Sequence, residues 1–184
     1  MLSVCVMAVG NVLMGDDALG PRVLCSLDAA LEFPPQVTLL DAGTPGLDLT
    51  LLIDGVDALI VIDAIKAAGA PGEVRAYRRD EMLRGALPVV MSPHEPTLRE
   101  ALLRLELFGR GPSEVLLVGA IPQRVTAGTG LSPAVRATLP VIEEQVLREL
   151  SRLGVPGWPR AEPRPLDIWW EAPAEATTRR TSCV

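Results

Sequence analysis

Three short stretches, Leu2 to Ala8, Ala58 to Ile62 and Glu114 to Ala120, are near-continuous apolar runs. Runs of that length, apolar at both parities, suit strands buried on both faces of a sheet. Between them the spacing changes. Leu19, Val23, Leu24, Leu27 and Leu31 recur at helical intervals, with Pro21 in the first turn where a missing N–H costs little. Pro96 and Thr97 open a helix carrying Leu98, Leu102, Leu105 and Phe108, which Gly109 stops. Ser132 and Pro133 form a cap and first turn. The long helix predicted after them shows Val135, Leu139, Ile142, Val146 and Leu150 on one face. Further strands are predicted at Gln36 to Leu40 and Glu73 to Tyr77, and a short helix at Leu47 to Ile53. Strands that alternate with helices and have no polar face leave one solution. It is an α/β three-layer sandwich, with a mostly parallel five-stranded sheet covered by helices on both faces.

The order holds over residues 1–155, enough for a single domain with a full core. From about Pro156 the composition shifts to Pro, Trp and Arg without core-like periodicity, so residues 156–184 are expected to be a poorly ordered tail. Trp169 and Trp170 either make this tail an interaction segment or fold it back onto the domain. No apolar run approaches the ~18 residues that span a bilayer, and no charged leader precedes the first strand. The expected location is cytoplasmic, with no membrane partner. A net charge of −6 with no basic stripe argues against nucleic acid. Cys5, Cys25 and Cys183 show no ligand spacing; the first two are expected to be reduced core thiols.

In open α/β sheets, ligands gather at the carboxyl ends of the strands. Asp16 and Asp17 follow the first strand, Asp41 ends the second and Asp63 ends the third, while His94, the single histidine, sits in a polar Ser-Pro-His-Glu-Pro loop. Two carboxylates and an imidazole form a borderline oxygen–nitrogen site suited to a divalent transition metal with open positions. The same groups could serve as a metal-free general base. Each has a structural alternative. Asp16 can be a helix cap, Asp17 a favourable charge in the first turn, and Asp41 the cap of its Gly-Thr-Pro-Gly turn. Asp63 is harder to explain structurally, because a carboxylate at the end of a buried strand is costly unless paired or ligated. The Gly10 turn lacks the glycine register of a dinucleotide site and the Gly-Lys-Ser of a phosphate loop. No Gly-x-Ser-x-Gly nucleophile elbow is present.

At these residues the sequence resembles the hydrogenase maturation endopeptidases. The shared pieces are the opening Gly10-Asn11-x-Leu13-Met14-Gly15-Asp16-Asp17, the Asp41-x-Gly43-Thr44-x-Gly46 segment, the strand ending Asp63-Ala64, Ser92-Pro93-His94, and Val118-Gly119-x-Ile121-Pro122. The resemblance implies an endopeptidase that removes the C-terminal extension of a [NiFe]-hydrogenase large-subunit precursor after nickel insertion. It assigns metal binding and catalysis to Asp17, Asp63 and His94, with nickel supplied by the precursor. It associates Asp41, Gly43, Thr44 and Gly46 with substrate recognition. The alternative on the same fold is a non-catalytic nickel-binding checkpoint or chaperone for hydrogenase assembly. Such a domain could act as a monomer.

Overall fold

The structure is a computed structural model describing residues 2–46, 49–84 and 98–171. In chain order it contains β1 (Val4–Ala8), α1 (Leu19–Ala30), β2 (Leu31–Glu32), β3 (Val37–Asp41), α2 (Leu49–Leu52), β4 (Ala58–Ala64) and β5 (Val74–Arg78). There follow α3 (Arg79–Leu83), α4 (Leu98–Leu107), β6 (Glu114–Ala120), α5 (Pro133–Arg136), α6 (Leu139–Arg152) and β7 (Trp158–Pro159). The central sheet has five strands in the order β3-β1-β4-β6-β5. All neighbours are parallel except β5, which runs antiparallel to β6.

Strand parity divides the core into two layers. Val4, Val6 and Ala8 of β1, with Ala58, Ile60 and Ile62 of β4, pack beneath α1, α5 and α6. Cys5 and Met7, with Leu59 and Val61, pack beneath α2 and α4 on the opposite face. Apolar side chains at both parities, covered by helices on both sides, are what the unbroken apolar runs require. Among the described residues no helix is long and apolar enough to cross a membrane.

Three local expectations are corrected. The predicted long helix after Ser132 is two helices. Ser132 caps the first, accepting the Val135 N–H, but α5 ends at Arg136 and α6 begins at Leu139. Pro140 sits in the first turn of α6, where its ring and missing N–H are tolerated; inside a continuous helix it would clash with the turn before it. The segment at Glu32 to Pro35, read as a break, begins with the end of β2, which pairs antiparallel with β7.

The third correction is the tail. Residues 156–171 lie against the domain; residues 172–184, Cys183 included, fall outside the described residues. Arg160 donates from Nε to the Asp28 carbonyl at 2.8 Å, and Trp158 donates from Nε1 to Glu32 at 3.1 Å. Trp170 is buried, and Glu171 meets Arg136 at 3.0 Å. The tail is held by ion pairs, a two-residue strand and one aromatic, none of which leaves a periodic apolar signal.

Candidate active site

The parallel register sets Ala8 of β1 level with Asp41 of β3 and Ile62 of β4. The loops leaving these strands therefore emerge side by side. The Ala42 N–H donates to the Ala8 carbonyl at 2.9 Å, and the Gly10 N–H to the Gly43 carbonyl at 2.8 Å. These two bonds stitch the Gly10 loop to the Asp41–Gly46 turn. Gly10 has φ +136°, and a Cβ there would lie 1.9 Å from the Asp17 carbonyl oxygen. Only glycine lets the loop fold back this closely.

Asp17 lies in a 3-10 turn, Gly15–Ala18, that leads into α1. It does not cap a helix. Its Oδ2 accepts the Asn11 N–H at 2.7 Å across the loop, and the residue is half-buried. Burial pushes its carboxyl above the ordinary aspartate value, and the Asn11 hydrogen bond only partly offsets this. Asp63 is the penultimate residue of β4, one place inside the strand whose end it was expected to mark. It is 7% exposed, and its Oδ1 accepts the Ala64 N–H at 2.7 Å. By parity it shares the face of Leu59 and Val61, the side covered by α2 and α4. Its register partner on β6 is Gly119, where a Cβ would lie 1.8 Å from the Asp63 carbonyl oxygen. That contact explains the glycine in the Val118 to Pro122 run.

Asp16 behaves quite differently from its neighbour. It is fully buried and caps no helix. Its Oδ2 accepts the N–H groups of Gln123 and Arg124 at 2.8 and 2.9 Å and the Ser132 hydroxyl at 2.9 Å, while Oδ1 accepts the Ser132 N–H at 2.6 Å. Burial pushes this carboxyl up, but the hydrogen bonds from Ser132, Arg124 and Gln123 outweigh it and hold it below the ordinary value. Asp16 thus fastens the exposed loop after β6 to the Gly10 loop, assisted by the Gly15 N–H donating to the Gly128 carbonyl at 2.8 Å. Sequence reasoning missed this role, because most of the partners are backbone amides more than a hundred residues away and carry no side-chain signature.

The structure therefore places the Asp17 loop, Asp63 and the Asp41–Gly46 turn along the carboxyl edge of the sheet, with Asp41 on the α1 face and Asp63 on the opposite one. In the turn, Asp41 Oδ1 accepts the Gly43 N–H at 3.0 Å, so the capping role foreseen for Asp41 is present. His94 lies outside the described residues. Among the described residues, no three His, Cys, Asp or Glu side chains come together to hold a metal ion.

Residues 21–149 match the family model described as hydrogenase maturation protease. The chain is 36% identical over 160 residues to the hydrogenase 2 maturation protease of Escherichia coli K12, covering 86% of this chain and 97% of that one. It is 33% identical over 173 residues to the hydrogenase expression/formation protein HoxM of Cupriavidus necator, covering 94% and 82%. Among solved structures, the hydrogenase maturating endopeptidase HybD from E. coli superposes with a TM-score of 0.79 at 34% identity, covering 87% of this chain and 99% of that one. The fold and the relatives define a peptidase. The chain belongs to the hydrogenase maturation protease family.

Proposed function

We propose that this chain removes a C-terminal extension from a [NiFe]-hydrogenase large-subunit precursor once nickel is in place, and that Asp17, Asp63 and His94 meet the substrate's own nickel as it docks. The observation that supports this reading is that the loop carrying Asp17 leaves β1 beside Asp63, near the end of the neighbouring parallel strand β4, with the Asp41 turn bonded to the same loop. Each carboxylate has at least one oxygen already engaged by a backbone N–H. Two such groups and one imidazole are too few donors to enclose a transition metal alone. They suit a metal that arrives with ligands of its own. Parity supports the choice of His94, because Asp63 projects toward the face covered by α4, which begins four residues after that histidine.

Hydrolysis adds water across the scissile C–N bond. Nickel held by the precursor would polarise the carbonyl or acidify a bound water. Asp17, whose carboxyl sits above its ordinary value, is suited to take the water proton and pass it to the departing amine. The Asp41–Gly46 turn would present backbone groups to the substrate chain.

The test is the intact mass of the cognate precursor after incubation, with and without nickel loading, alongside Asp17→Asn, Asp63→Asn and His94→Ala. Loss of a C-terminal peptide only from nickel-loaded precursor, abolished in all three variants, is expected. Equal cleavage of nickel-free precursor would defeat nickel recognition. Tight binding with unchanged mass would favour the checkpoint role.

A further inference from the structure

β3 is the outermost strand beside the candidate site. It pairs with β1 through alternate residues: the Val4 N–H donates to the Gln36 carbonyl and the Ala42 N–H to the Ala8 carbonyl, both at 2.9 Å. That alternation turns the backbone groups of Leu39 and Asp41 away from β1. Among the described residues no strand pairs with β3 on that side, although exposed edges are ordinarily covered or blunted. Next to this edge is a cleft of about 710 Å³, lined by Leu24 and Asp28 of α1, Leu39 and Asp41 of β3, and Asp167 and Trp169 of the tail.

The cleft has a charge preference. Asp28, Asp41 and Asp167 line it, with one lining cation, Arg164; Asp28 is paired with both Arg164 and Arg160 at 3.2 Å, so the acidity of the cleft comes from Asp41 and Asp167. The Cys25 thiol on its wall is pushed up by burial, with Asp41 and Asp167 adding to the rise and Arg22 opposing it. Trp169 is 64% exposed and offers a large apolar face. The wall formed by the tail lies beyond residues 21–149 that the family model matches.

We propose that an extended segment of the precursor carrying a Lys or Arg adds to the outer edge of β3 as a sixth strand and lies in this cleft against Trp169. The proposal rests on the precursor-processing reading above and adds where the polypeptide is held. Main-chain bonds to Leu39 and Asp41 supply affinity for any extended chain, while the acidic wall and the tryptophan select among sequences. Asp41 ends β3, so a strand added there runs directly into the Asp41–Gly46 turn and the carboxylate edge.

The test combines cleavage kinetics on nickel-loaded precursor for wild type, Asp167→Lys and Trp169→Ala with amide hydrogen exchange of wild type bound to precursor. Both side chains are exposed, and melting temperatures within about 2 °C of wild type verify the fold. KM is expected to rise about tenfold in each variant with kcat within about twofold. Exchange at Leu39 and Asp41 should slow on binding. A precursor whose cationic residue is changed to Glu should regain affinity for Asp167→Lys, a rescue that a merely structural role cannot produce. Unchanged KM in both variants, or unaltered exchange at β3, overturns the proposal. The two readings fail separately. Equal cleavage of nickel-free precursor removes nickel recognition but leaves the KM shifts, and binding without cleavage still shows or denies protection of β3.

Discussion

Replacing Asp16 tests whether the two adjacent aspartates are divided between structure and function. Asp16→Ala removes the acceptor of three backbone N–H groups and one hydroxyl. Gln123 and Arg124 are exposed, so their N–H groups can be rehydrated once freed. Ser132 is 4% exposed, and its N–H and its hydroxyl proton lose their acceptor, although the hydroxyl oxygen still accepts the Val135 N–H. An unsatisfied buried donor costs about 1–3 kcal/mol, and hydrogen bonds to a charged group are worth about 1.5–3 kcal/mol each. Taking Ser132 in full and the two exposed donors at a fraction gives a loss of about 3–5 kcal/mol. For a domain of this size that lowers Tm by about 8–15 °C. Asp16→Asn should also destabilise, because its amide turns N–H groups toward donors. Asp17→Asn should leave Tm unchanged or slightly raised, since it removes a charge that burial disfavours, while abolishing cleavage. Thermal melts with precursor cleavage on the same samples read out both. The pH dependence has a definite sign. The folded value of Asp16 lies below the ordinary 3.8. Its contribution is therefore complete above about that pH and is lost as pH falls through the folded value. Asp16→Asn should flatten the stability profile there. Melting of Asp16→Ala within about 3 °C of wild type at neutral pH would refute this account.

Three further outcomes follow from the same geometry. The raised Asp17 carboxyl predicts an acid limb in kcat/KM centred above the ordinary 3.8, which a pH–rate profile would locate; a limb at or below that value would remove Asp17 as the proton acceptor. Gly119→Ala drives a Cβ to 1.8 Å from the Asp63 carbonyl oxygen, so β4 and β6 must part. A loss of more than about 3 kcal/mol by urea denaturation is expected, with cleavage reduced even where the protein folds. Truncation after Val155 removes β7, the Arg160–Asp28 contacts and the buried Trp170. The domain should stay folded but lose about 2–4 kcal/mol, read as a lower urea midpoint.

What could be read from the residues, and what could not, follows from the range of the interactions. β1, β4 and β6 were legible because burial on both faces demands apolar residues at both parities, a condition met within each strand. The placement of Asp63 was legible to within one residue, since a carboxylate at the end of such a strand interrupts the apolar run. The break between α5 and α6 was present in the sequence as a second proline, Pro140, at a first-turn position, but hydrophobic periodicity runs through it in register and masks it. The sequence left open whether the tail folds back, because the anchors of residues 156–171 are single residues paired with Asp28, Glu32 and Arg136 far upstream. Asp16 and Asp17 mark the limit. They are chemically identical neighbours, each followed by the same short turn into α1. One is driven below its ordinary titration value and the other above it because the loop after β6 brings its donors to Asp16 alone. Their division of labour is set where two distant loops meet, and a carboxylate that is already saturated with hydrogen bonds has little left to offer a metal. The less satisfied of the two is therefore the one expected at the reaction.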